Sequence, residues 1–123
     1  MSTADFTLNP TLDKDTVEVA RLDICRVLLM RDKTYPWLIL VPAIAGLRDL
    51  DDLDASDRNQ VMAEIDRASK AMKAVFQPYK INVAAPGHVV GQLHIHVIAR
   101  YPTDPAWPAP VWGAPPAHGH RGR

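Results

Sequence analysis

The sequence predicts an α+β domain, a mostly antiparallel sheet with one long helix packed on it. Two observations carry this. Short apolar runs bounded by turn residues stand on both sides of a single long amphipathic stretch of helical period, an order of strands, helix and strands again. The 123 residues are 47% hydrophobic and 23% charged, an ordinary globular composition of a size that one core can organise.

Residues 1–16 mix Pro10, acidic residues and isolated apolar ones without a sustained period, and are expected to form an arm with room for one turn of helix. "ICRVLLM", Ile24 to Met30, reads as a strand, and "RDKTYP" after it carries the turn-compatible Asp32, Lys33 and Pro36. "WLILV", Trp37 to Val41, lies between two prolines and is apolar throughout, as in a strand covered on both faces. The two runs together predict an antiparallel hairpin.

A helix is predicted after Asp54. Val61, Ile65, Ala68, Met72, Val75 and Phe76 share one face, Asp66, Arg67, Lys70 and Lys73 the other, and Glu64 borders the two. Asp54 suits the N-cap, Asp57 the positive end of the helix dipole, and Pro78 the stop. "INVAA", Ile81 to Ala85, and "QLHIHVIARY", Gln92 to Tyr101, then read as two further strands joined by "PGHVVG". Six of the last 22 residues are proline, which keeps that stretch out of a central sheet. The expected organisation is one domain over 1–112, including the N-terminal arm, and a flexible tail over 113–123.

Fourteen Lys plus Arg balance fourteen Asp plus Glu, so no long-range field draws in a polyanion, and nucleic acid is not expected as a partner. An anionic small ligand remains compatible, because a local cluster can hold it. Cys25 has no partner for an intrachain disulfide, which suits a reducing compartment. The start lacks a basic segment followed by an apolar one, and no window approaches the ~20 apolar residues of a membrane span. The expectation is a cytoplasmic protein without membrane partners.

The chemistry concentrates in "VVGQLHIHVIARY". Strand alternation would send Gln92, His94 and His96 to one face and Leu93, Ile95 and Val97 to the core, with successive polar side chains roughly 6 to 7 Å apart. Three readings fit this pair of histidines: half-exposed sheet residues with satisfied hydrogen bonds, a metal site, or a nucleophile beside an anion clamp. A zinc site needs further ligands, and there is no Cys pair and no H-E-x-x-H; the other histidines are His88, His118 and His120. No metal and no cofactor is therefore expected. Neutral imidazole can attack phosphorus near pH 7, because its ordinary pKa of about 6.5 leaves much of it unprotonated.

The motif Gln92-Leu93-His94-Ile95-His96-Val97-Ile98 resembles the histidine triad family, with glutamine in place of the first histidine. The resemblance spans roughly residues 20–112 and is especially close to a bacterial diadenosine polyphosphate hydrolase-like branch. It implies a homodimer that binds a purine nucleotide and cleaves a bond to its α-phosphate. By this resemblance His94 is the nucleophile that forms a nucleotidyl-histidine, His96 hydrogen-bonds the phosphate, and Gln92 supports the site through its amide without carrying a proton. Asn82 matches an asparagine of the active-site polar network, and Asp32 is the candidate for the ribose hydroxyls. His88 and Val89 stand where many members have Gln and Ser or Thr on the phosphates; Val89 has only its backbone N–H to offer.

The implied function is hydrolysis of a purine nucleoside phosphoramidate or dinucleoside polyphosphate. The alternative is a catalytically weak nucleotide-binding regulatory module, motivated by Gln92, His88 and Val89. Trp107 and Trp112 are expected to anchor the Pro-rich segment rather than border the nucleotide pocket, and of the two candidates for stacking on a base, Tyr35 and Trp37, the second is expected to be core.

Overall fold

The computed structural model describes residues 5–112. In chain order it contains α1 (Pro10–Asp15), β1 (Thr16–Arg21), β2 (Cys25–Met30), β3 (Trp37–Pro42), a 3-10 turn (Leu50–Asp52), α2 (Ala55–Phe76), β4 (Lys80–Ala84) and β5 (Ile95–Arg100). The strands form one five-stranded sheet in the order β1-β2-β3-β5-β4, every neighbouring pair antiparallel. The predicted α+β class and the β2–β3 hairpin are both present. The tail predicted over 113–123, with His118 and His120, lies outside the described residues.

The sheet has two covered faces. On one, Cys25, Val27, Leu40, Ile95, Val97 and Ala99 pack under α2 through Val61, Ile65, Ala68 and Met72. On the other, Leu28, Ile39, Val41 and Ile98 are covered by Phe6 and Leu12 of the arm and by Val111 near the end of the described chain. Leu40, Val97 and Ile98 are wholly buried, and each such side chain contributes about 1.5–3 kcal/mol relative to exposure. The functional side chains sit on this second face.

Helix α2 starts where predicted. Asp54 accepts from Asp57 N–H at 2.8 Å, and Gln77 closes the helix in the left-handed conformation (φ 48°) just before Pro78. Two expectations about its faces change. Val75 is 71% exposed and Phe76 is also exposed. Glu64, expected at the border, is buried: its carboxylate accepts from the backbone N–H groups of Ile24 (3.0 Å) and Cys25 (2.7 Å) and from Gln60 Nε2 (2.8 Å). Burial, with the Glu64 charge beside it, pushes the Cys25 thiol pKa far above its ordinary value.

Strand β1 was not anticipated. Only Thr16 of its six residues is buried, so this edge strand carries little of the apolar signal that marks a covered one, and a bulge between Glu18 and Ala20 interrupts its pairing. At the other end, the buried Arg100 binds Asp104 through Nε (2.7 Å) and Nη2 (3.0 Å), Asn82 Oδ1 through Nη1 (2.8 Å) and the Ala109 carbonyl through Nη2 (2.8 Å). These bonds fold the Pro-rich segment back over the sheet and bring Trp112 beside His96.

Candidate active site

Strand β5 begins at Ile95, so Gln92, Leu93 and His94 precede the ladder rather than belonging to it as predicted. The Leu93 N–H goes instead to the Leu47 carbonyl at 3.0 Å. The alternation of faces nevertheless holds: Leu93 and Ile95 are buried in the α2-side core, while the rings of His94 and His96 lie on the other side with their centroids 5.0 Å apart.

The two rings have opposite hydrogen-bond partners. His94 Nδ1 lies 2.7 Å from the Gln92 carbonyl oxygen, which can only accept, so Nδ1 carries a proton and Nε2 is the nitrogen left to offer a lone pair. His96 Nδ1 accepts from Trp37 Nε1–H at 2.9 Å, so this ring carries its proton on Nε2. One imidazole thus presents a nucleophilic nitrogen and its neighbour an N–H donor. Burial, with His94 nearby, lowers the His96 pKa to about 4, so its ring is neutral at physiological pH. Trp112 lies against the far side of His96, ring centroids 5.6 Å apart.

Both rings line a cavity of about 430 Å³. Met30, Trp37 and Ile39 give it an apolar wall, Thr11, Leu12 and Asp15 of α1 give another, and the turn Pro86 to Val90 closes a third side. Gly87 in that turn has φ 67°, a conformation that suits glycine. The cavity is largely apolar with a few converging polar groups, the form of a small-molecule site.

Among the residues singled out from sequence, the fold brings His94, His96, His88 and Val89 to this cavity. Val89 is 94% exposed, so its side chain stands on the rim. Three others are placed elsewhere. The Gln92 amide turns away from the histidines: Oε1 accepts from Asn9 N–H and Nε2 donates to the Thr7 carbonyl, both at 2.9 Å. Asn82 shares the sheet face of His96, but it pairs with Ile98 one step further along, and its Oδ1 accepts from Arg100. Asp32 caps its own turn through Thr34 N–H and lines a second cavity with Val17, Tyr35 and Phe76. The sequence reading missed the α1 wall and the hydrogen bond from Trp37, which it took for plain core.

Residues 11–103 match the HIT domain family. The chain belongs to that family. It is 44% identical to a histidine triad protein from Bradyrhizobium japonicum, with a TM-score of 0.86 over 88% of this chain and 81% of that one. A histidine triad protein from Sinorhizobium meliloti 1021 superposes with a TM-score of 0.89 at 39% identity, over 91% of this chain and 83% of that one. The AP-4-A phosphorylase of Mycobacterium tuberculosis is 31% identical over 112 residues, 80% of this chain and 54% of that protein. The chain therefore spans about half the length of the curated relatives it matches. In this HIT domain His94 and His96 stand at the cavity, and the Gln92 amide is bound to the arm. No group of three or more His, Cys, Asp or Glu is placed to hold a metal ion among the described residues, and no described helix is long and apolar enough to cross a membrane.

Proposed function

We propose that this protein is a nucleotide hydrolase that cleaves the α-phosphate bond of a purine nucleoside phosphoramidate or dinucleoside polyphosphate through a nucleotidyl-His94 intermediate. The observation that carries this reading is the opposed protonation of the two rings, set by the Gln92 carbonyl and the Trp37 indole. A pair of incidental sheet histidines has no need of complementary tautomers; a nucleophile beside an anion donor does.

In the first step His94 Nε2 attacks the α-phosphorus, a P–N bond forms, and the bond to the leaving group breaks with its electron pair going to the leaving group, an amine that takes up a proton from water or a nucleotide that departs as its phosphate anion. The ring becomes cationic, and its Nδ1–H remains on the Gln92 carbonyl, which stabilises that charge. His96 Nε2–H donates to a nonbridging phosphate oxygen where negative charge develops. In the second step water displaces the imidazole, releasing the nucleoside monophosphate and a proton and restoring neutral His94. The base fits the apolar wall of Leu12, Met30 and Ile39. The AP-4-A phosphorylase relative supports a nucleotide substrate of this kind. We further propose a homodimer, by the family likeness, and a cytoplasmic location, which the lone Cys25 suits.

The test is turnover of adenosine phosphoramidate and diadenosine tetraphosphate by wild type and His94→Asn. Release of AMP by wild type alone supports the reading; equal release by the variant overturns it. A second reading, a nucleotide-binding regulatory module of little activity, is favoured by Val89, an exposed apolar side chain at the cavity rim. Binding of AMP with no product from either substrate would select it.

A further inference from the structure

We infer that Gln92 is a positioning residue that clasps the N-terminal arm as a wall of the cavity, so that its side chain sets affinity for a nucleoside 5′-phosphate and not the rate of the chemical step. This rests on the nucleotide-binding reading above. The Gln92 amide supplies one acceptor and one donor, and both are used on the arm's backbone, at Asn9 N–H and the Thr7 carbonyl, 83 and 85 residues away in sequence. Asn9 in turn caps α1, its Oδ1 accepting from Thr11 N–H at 2.8 Å, and Thr11, Leu12 and Asp15 of that helix line the cavity. Phe6 and Leu12 bury their side chains on the same face of the sheet. A path of bonded groups runs from Gln92 through Asn9 to the wall.

The same residue touches the nucleophile only by its main chain, whose carbonyl receives His94 Nδ1–H. Its two roles are therefore separable by substitution. Gln92→Ala keeps the carbonyl and removes the clasp. Gln92→Glu keeps the size and the acceptor for Asn9 N–H but sets a carboxylate oxygen against the Thr7 carbonyl. The Gln92 side chain thus holds the arm, while its carbonyl reaches His94.

The experiment is calorimetric titration of full-length wild type, Gln92→Ala and Gln92→Glu with AMP, amide hydrogen exchange at Asn9, and kcat at saturating adenosine phosphoramidate. Gln92→Ala, which loses both hydrogen bonds to the arm, should bind AMP about tenfold more weakly, and Gln92→Glu, which loses only the one to the Thr7 carbonyl, by a smaller factor. The Asn9 amide should exchange faster in Gln92→Ala, and in both variants KM should rise by a larger factor than kcat falls. Asn9→Pro removes the same N–H from the arm's side at a φ of −54° that proline accepts, and with it the Oδ1 cap on Thr11 N–H, so it should weaken AMP at least as much as Gln92→Ala. Unchanged AMP affinity in all three variants overturns the inference. So does a fall in kcat with affinity and Asn9 exchange unaltered, which would place the amide among the reacting groups. If wild type binds AMP but releases no product, the hydrolase reading fails while affinity and exchange still decide this one; if wild type does not bind AMP, both fail.

Discussion

The Trp37 indole N–H meets His96 Nδ1 at 2.9 Å across the β3–β5 ladder, in which Trp37 pairs with Ile98 and Ile39 with His96. Two steps of one ladder thus bring a tryptophan over the imidazole it orients. An N–H aimed at Nδ1 disfavours protonation there and leaves Nε2–H as the only donor of the ring.

Trp37→Phe keeps an aromatic side chain in the wall and removes the N–H. Nitrogen-15 NMR of the imidazoles should show His96 as the single Nε2–H tautomer in wild type and as a mixture in the variant, with its pKa raised. Turnover should fall about tenfold, the value of roughly one hydrogen bond in the transition state. An unchanged His96 spectrum would show that the indole does not select the tautomer.

Stability should depend on pH through the same ring. His96 titrates near 4 when folded, against an ordinary 6.5, so between these values the unfolded chain binds the proton and the folded one does not. The effect is nil above about pH 6.5, grows as pH falls and saturates below about 4, reaching on the order of 3 kcal/mol. Asp104, whose pKa Arg100 holds below the usual carboxylate range, adds a loss at still lower pH. Urea unfolding of wild type and His96→Asn at pH 7 and 4.5 checks this: the difference between the two pH values should shrink in the variant.

Glu64→Ala should destabilise the fold by about 2–4 kcal/mol, because it leaves the Ile24 and Cys25 N–H groups without their acceptor, one of them in the core. The denaturant midpoint reads the loss. Turnover per folded molecule should not change, since α2 lies on the face of the sheet opposite the cavity.

The parts of this molecule that bury an apolar stripe were legible in the sequence. Helix α2 declared itself through Val61, Ile65, Ala68 and Met72 with Asp54 before it, and β3 through an unbroken apolar run between prolines. The H-x-H pair was legible because polar residues interrupt such a run at period two. What stayed hidden were partners far apart in sequence or on the backbone. Gln92 spends its amide on Thr7 and Asn9, Glu64 its carboxylate on two main-chain N–H groups, and Asn82 its oxygen on Arg100. Trp37 counts as apolar in any periodicity, which cannot show where its one N–H points. Strand β1 lies almost wholly exposed at the sheet edge and leaves no burial pattern to read.

Whether His94 carries the nucleotidyl group is read out by rapid-quench single turnover with adenosine-labelled phosphoramidate and enzyme in excess. Peptide mapping should find label on His94, appearing before free AMP and decaying as AMP accumulates, and none in His94→Asn. Turnover that forms no labelled protein at any time, or label on His96 instead, would rule out His94 as the nucleophile.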